Sequence, residues 1–221
     1  MFTSVILGAG KSTRMKANKS KLLFDIAGKP VINHIVSSLK DAKAKHNICV
    51  INNSSAELKK ILEAEKISFA YQKILDGTAG AVKAALKSKK NSNSKILILC
   101  GDVPFISSSS IKKLVAKLKN FDAVVGTVEL ESPKGYGRIV RVNNKFSSIV
   151  EEKETTPEQR QIREVNTGII AIQEKVLRKY ISLVKNNNQK KEYYLTDIIK
   201  ILIDHHKNCL LYTSDAADEK R

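Results

Sequence analysis

Phe2-Thr3-Ser4-Val5-Ile6-Leu7-Gly8-Ala9-Gly10-Lys11-Ser12-Thr13-Arg14-Met15 opens the chain, and its reading decides the fold. A short β-type run, Thr3–Leu7, breaks at once into small residues. Glycine and alanine let the backbone approach a ligand closely, and consecutive N–H groups can cradle phosphate oxygens. Lys11 and Arg14 add fixed positive charge to the same loop. An ordinary tight turn is the bland alternative; the position at the C-terminal end of a first strand favours a phosphate loop. Gly10-Lys11-Ser12-Thr13 mimics the end of a P-loop, but that motif needs a glycine where Val5 stands, inside the strand.

Outward from this stretch the hydrophobic period alternates. β-type runs fall at Ile48–Ile51, Ser68–Gln72, Lys95–Cys100 and Ala123–Val128, and helical patterns at Val31–Lys43, Ala56–Glu65, Ala79–Lys87 and Ser109–Lys119. Ser54 or Ser55 is placed to cap the second helix, and Ser107 or Ser108 the fourth. The alternation predicts an α/β fold with a doubly wound, mainly parallel sheet, which binds ligands beyond the carboxyl ends of its strands. After Glu129 the pattern changes. Arg138–Val142 and Phe146–Val150 flank Asn143-Asn144 and predict a β-hairpin elaboration. A strand at Asn166–Ile172 and helices at Glu174–Val184 and Leu195–His206 complete the reading.

The 221 residues carry a net charge of +17, which raises the question of nucleic acid. Of 39 basic residues 32 are lysines, spread over the whole length and never in runs beyond short pairs. With no tryptophan and no interleaving of aromatic and basic residues, the charge reads as solvated helix faces and not as a nucleic-acid footprint. Cys49, Cys100 and Cys209 are scattered and read as free thiols. The four histidines have neither triad partners nor metal spacing. No apolar run reaches the length of a membrane span, and Val5–Leu7 lacks the basic flank of a signal peptide. No membrane partner is expected, and the expected location is the cytoplasm.

Ordered blocks carry a more specific signal. The first loop resembles the signature of sugar-nucleotide pyrophosphorylases. Ala27–Pro30, Gly77-Thr78, Gly101–Pro104, Gly135–Ile139, Ile149–Glu151, Asn166–Ile169 and Glu192–Asp197 follow in the order seen in the bacterial bifunctional N-acetylglucosamine-1-phosphate uridyltransferases (the GlmU type). The resemblance runs from residue 3 to about 206 and implies a Rossmann-like nucleotide-diphospho-sugar transferase fold. It implies that Leu7, Gly8, Ala9 and Gly10 contact uracil and ribose, with Gln72, Gly77 and Thr78 reading the base. Arg14 and Lys21 would bind phosphates and act in catalysis. Gly101, Gly137, Glu151, Asn166 and Thr167 would hold the sugar, and Asp102 would bind Mg²⁺. Three residues depart from the family pattern: Gly8 for alanine, Ser12 for glycine and Ser20 for proline. Gly8 in place of alanine is expected to be harmless.

The implied reaction joins UMP from UTP to N-acetylglucosamine 1-phosphate and releases pyrophosphate. Rival readings are a related transferase for another sugar or polyol phosphate, and a basic nucleic-acid-binding protein. The expected domain is 1–208. The family's second metal ligand, an asparagine in a Gly-Val-Asn motif, has no counterpart here, nor does its β-helix acetyltransferase domain, through which the family trimerises. Residues 209–221 resemble translated sequencing adapter and are expected to pack arbitrarily; an additional strand at Cys209–Tyr212 is the alternative.

Overall fold

A computed structural model describes residues 1–10, 20–52 and 56–213. Its centre is a nine-stranded sheet. Strand β1 (Phe2–Leu7) lies between β4 (His46–Ile51) and β6 (Lys95–Cys100), parallel to both, and β5 (Ser68–Tyr71) extends the sheet beyond β4, also parallel. On the other side of β6 runs β10 (Glu164–Gln173), antiparallel both to β6 and to β7 (Ala123–Glu129). Strands β8 (Arg138–Val142) and β9 (Lys145–Val150) form the expected hairpin against β10. Its turn residues Asn143 and Asn144 have φ of 49° and 61°, the left-handed pair that suits a two-residue hairpin loop.

Period-two apolar patterning explains why both faces are covered. Along β1 and β6, Val5, Leu7, Ile96 and Ile98 turn to one face, and Ile6, Leu97 and Leu99 to the other. The first face packs under α3 (Thr78–Ser88), α6 (Glu174–Tyr180) and α7 (Asp197–Asp204) through Val82, Leu86, Leu177 and Leu202. The second packs under α1 (Val31–Asp41), α2 (Ala56–Ala64) and α4 (Ser108–Lys117) through Ile35, Leu39, Leu58 and Leu114. The sheet is therefore doubly wound and mainly parallel.

Several boundaries differ from expectation. A small hairpin, β2 (Asp25–Ile26) and β3 (Lys29–Pro30), turns through the left-handed Ala27 and Gly28, and a short α5 (Pro157–Arg160) starts on a Thr156–Gln159 capping box. The helix read over Glu174–Val184 ends at Tyr180 and continues only as a tight turn, Ile181–Leu183. Ser107 caps α4 through the N–H of Ser110; Ser54 and Ser55 lie outside the described residues. The expectation of arbitrary packing is corrected for Cys209–Thr213. These residues form β11, parallel to β7 from Cys209 opposite Ala123 to Thr213 opposite Thr127. Leu211 packs toward one core face and Leu210 toward the other, so an alternating apolar run fills the open edge of β7. Residues 214–221 lie outside the described residues.

Candidate functional site

The carboxyl ends of β1, β4, β5 and β6 lie at one end of the sheet, and the reversed strand β10 brings a loop to the same end. At the floor, Gly101 N–H donates to the Leu7 carbonyl (3.1 Å) and Gly8 N–H to the Val50 carbonyl (2.9 Å). The Asn52 side-chain amide donates to the Ala9 carbonyl (3.0 Å). Leu7 and Gly8 are thus held by backbone hydrogen bonds, and Ala9 by the Asn52 side chain. Gly8, expected to be harmless in place of alanine, sits closely under Leu22. A Cβ there would lie 2.5 Å from Leu22 Cδ1 and 3.1 Å from the Val50 carbonyl, so alanine is not a free replacement in this chain. Gly10 ends the described part of the loop; Arg14 and Ser12 lie outside the described residues.

Lys21 and Asp102 meet over this floor. Ser20 begins a single tight turn, Lys21–Leu23, and its hydroxyl accepts from the Leu22 N–H (3.4 Å). The serine found where the family pattern has proline therefore serves as a helix cap. The turn aims Lys21 Nζ at Asp102 Oδ2, 2.8 Å away. Asp102 stands two residues past the end of β6, after Gly101, and its side chain is largely exposed. Beside it the Cys100 thiol is pushed up to about 12, by burial first and then by the charge of Asp102, so it stays protonated and does not serve as a nucleophile.

Gln72, Gly77 and Thr78 come together beyond β5. Gln72 is buried, and its amide Nε2 donates to Asp76 Oδ1 and to the Gly77 carbonyl, each at 3.0 Å. Gly77 has φ of 114°, and a Cβ there would sit 2.5 Å from the Tyr193 carbonyl oxygen; only glycine fits. Thr78 Oγ1 accepts from the Leu195 N–H (2.8 Å), which commits that oxygen to the Tyr193–Thr196 segment.

The opposite wall is built on β10. Between Asn166 and Ile170 its register against β7 shifts, and the resulting bulge turns through Gly168 at φ 77°. Asn166 N–H donates to the Gly137 carbonyl (2.9 Å), and Asn166 Oδ1 accepts from Gly168 N–H (3.1 Å). Thr167 Oγ1 donates to the Gly126 carbonyl (2.8 Å), so that hydroxyl braces the bulge. Glu151, just after β9, accepts from Thr196 Oγ1 (2.9 Å). Arg138 is buried beneath this wall, donates to the Tyr136 carbonyl and pairs with Glu152 (2.8 Å), tying the Gly137 loop to the segment that carries Glu151.

Thr196 and Asp197 are the residues that sequence reading left without a role. They belong to the Glu192–Asp197 block, so the signal was present, but nothing local points to Glu151, 45 positions earlier. Burial, reinforced by Glu151 and Glu154, pushes the Asp197 carboxyl up to about 6.

No group of three or more histidine, cysteine or acidic side chains suited to a metal ion occurs among the described residues. Asp102 nevertheless fits a hard cation such as Mg²⁺. It offers an accessible carboxylate at a strand's end, and Mg²⁺ commonly takes one or two carboxylates with phosphate oxygens and waters. No helix among the described residues is long and apolar enough to cross a membrane.

Comparison with known proteins agrees with this geometry. Residues 4–163 match the model of the MobA-like NTP transferase domain. Over 198 residues, 88% of this chain, the sequence is 43% identical to the bifunctional protein GlmU of Francisella tularensis subsp. novicida. It is 38% identical over 202 residues, 91% of the chain, to that of Marinobacter nauticus. The chain spans 43% and 44% of the length of these two relatives. Among solved structures, one described as a glucose-1-phosphate thymidylyltransferase from Bacillus anthracis superposes with a TM-score of 0.79 at 19% identity, over 97% of this chain and 87% of the other. A UDP-glucose pyrophosphorylase gives 0.73 at 16% identity, over 97% and 92%. The shared sheet, the glycine-bearing loops at its carboxyl ends and the match over most of the chain lead to one assignment: the chain belongs to the MobA-like NTP transferase domain family and is a nucleotidyltransferase domain.

Proposed function

We propose that residues 1–208 transfer UMP from UTP to N-acetyl-α-D-glucosamine 1-phosphate, giving UDP-N-acetylglucosamine and pyrophosphate, and so feed the synthesis of cell-wall precursors. One observation carries the reading: Lys21 and Asp102 meet at 2.8 Å between the wall formed by Leu7–Gly10, Gln72 and Gly77 and the wall formed by Gly137, Glu151 and Asn166. A nucleotide on the first wall and a sugar phosphate on the second would bring their phosphates together at that pair. The identity to GlmU proteins supports this choice of substrates.

In this reading the sugar phosphate attacks the α-phosphorus in line and pyrophosphate leaves. The attacking oxygen is already anionic, so the site needs no strong general base. The loop amides beyond Gly8 and the Lys21 ammonium orient and neutralise the phosphates, and Arg14 adds to that charge. Glu151, fixed by Thr196, and Asn166, fixed by Gly137 and Gly168, orient the sugar. Asp102 would hold Mg²⁺, which when bound supplies charge neutralisation to the phosphate oxygens. The net charge of +17 favours capture of anionic substrates.

The test is pyrophosphate release by the intact chain across a panel of nucleoside triphosphates and sugar 1-phosphates. UTP with N-acetylglucosamine 1-phosphate is expected to be the best pair. A better pair would replace the substrate assignment, and steep salt-dependent binding to duplex DNA with no binding of UTP would replace the reading altogether.

A further inference from the structure

We propose that Asp76 is a positioning residue that sets base specificity, by locking the Gln72 carboxamide so that only its carbonyl oxygen faces the base. The proposal rests on the reading that Gln72 contacts the base, and adds what decides which base it accepts.

Gln72 Nε2 has two partners. Asp76 Oδ1 and the Gly77 carbonyl oxygen each lie 3.0 Å from it, and both are pure acceptors. An amide turned the other way would set Oε1 against a carboxylate and a carbonyl, three oxygens without a proton between them. The chemistry of the partners therefore fixes the orientation. Both hydrogens of the Nε2 group are spent on the protein. Oε1 receives no hydrogen bond from the described residues and is not among the fully buried unpartnered atoms, so it remains available to a ligand.

Asp76 is itself held. Its carbonyl accepts from the Tyr193 N–H (2.7 Å), while Ala79 N–H donates to the Tyr193 carbonyl (2.9 Å), so the Asp76–Ala79 turn is pinned to the Tyr193 segment. A Cβ on Gly80 would run into the Asp76 carboxylate, so glycine in the first turn of α3 makes room for it. The lock thus includes a space reserved by a residue with no side chain.

A fixed carbonyl acceptor complements a base edge that carries an N–H. Uracil and thymine present one at N3, flanked by carbonyls. Cytosine presents a bare N3 acceptor there, which would face Oε1 oxygen to nitrogen with no proton to share. A site that hydrogen-bonds one ligand leaves its buried polar group unpaired with the other. Without Asp76 the carboxamide is held by Gly77 alone and can turn its NH₂ group toward cytosine.

The experiment measures Kd for UTP, dTTP and CTP, each with Mg²⁺, on the intact chain and on Asp76→Asn, Asp76→Ala and Gln72→Ala. Unfolding curves establish that each variant folds, and Asp76→Asn preserves the shape should Asp76→Ala not fold. The native chain is expected to bind UTP and dTTP more tightly than CTP. In Asp76→Ala that preference should shrink by about tenfold, the order expected on losing one charge-assisted hydrogen bond, and in Asp76→Asn, whose amide oxygen still accepts but carries no charge, it should shrink by less. A merely structural role would weaken all three nucleotides together and leave their ratio unchanged, and that result overturns the proposal. If Gln72→Ala also leaves the ratio unchanged, the reading of Gln72 as a base contact fails as well. A collapsed ratio in Gln72→Ala beside an intact one in the Asp76 variants overturns the role of Asp76 alone.

Discussion

Two carboxylates lie at opposite ends of strand β6 and receive opposite treatment. Asp102, just past the C-terminal end, leaves 64% of its side chain exposed. Glu174, at the start of α6, is wholly buried against Ser94, the residue before β6. Its two oxygens accept from Lys89 Nζ at 2.8 and 2.9 Å, from Arg178 Nε at 2.9 Å, and from the Ser94 N–H and hydroxyl at 3.1 and 2.8 Å. Burial alone would raise its pKa; the hydrogen bonds from Lys89, Ser94 and Arg178 outweigh that and bring it down to about 2. The difference separates two uses of one functional group. A carboxylate whose acceptor sites are saturated by the protein is a structural part, whereas one left open to solvent beside a cation is available to a ligand.

The comparison is broken most severely at its buried end. Glu174→Ala leaves Lys89 and Arg178 without their counter-charge and should cost about 3–5 kcal/mol in urea unfolding, the range for removing one partner of a buried ion pair. Asp102→Ala should stay within about 0.5 kcal/mol of the native chain in the same measurement, as surface changes usually do. In turnover the order reverses. Asp102→Asn is expected to reduce pyrophosphate release on the order of 10²-fold or more, while unfolding stays unchanged. Equal stability losses at both ends would refute the contrast.

A smaller effect sharpens it on the β10 wall. Gly168→Ala places a Cβ at φ 77°, 2.9 Å from Cys100 Sγ. It should cost about 1–3 kcal/mol as strain and raise KM for the sugar phosphate more than for UTP. A further effect is in pH. Asp197, pushed up to about 6 from an ordinary 3.8, binds its proton more tightly folded than unfolded. Its contribution is therefore present in full below 3.8 and is lost as pH rises through about 6. Glu174 has the opposite sign: its contribution is present above 4.5 and lost as pH falls toward about 2. Urea titrations from pH 3 to 7 should show the slope between about 4 and 6 disappear in Asp197→Asn.

Much of the candidate site was legible because its signals are short-range. Gly8–Gly10 after an apolar strand, Asp102 after Ile96–Leu99 and the Asn143-Asn144 turn each declare themselves within a few residues. What was not legible is what those residues do once assembled. Thr78 and Thr167, read as ligand contacts, spend their hydroxyls on the Leu195 N–H and the Gly126 carbonyl. The cap formed by Ser20 and the steric role of Gly8 depend on where Leu22 settles.

The sequence by itself determined the α/β class, the doubly wound layering and the end of the sheet at which the candidate residues gather. Side-chain periods of two and 3.6 residues and glycine punctuation are local properties of a chain. Only the tertiary structure decided that β10 runs antiparallel between β6 and β7, that its bulge carries Asn166 and Thr167 to Asp102's end, and that Thr196 meets Glu151. Those outcomes rest on which strands become neighbours and in what register, a choice made by burying two apolar faces at once, and no window of sequence contains it.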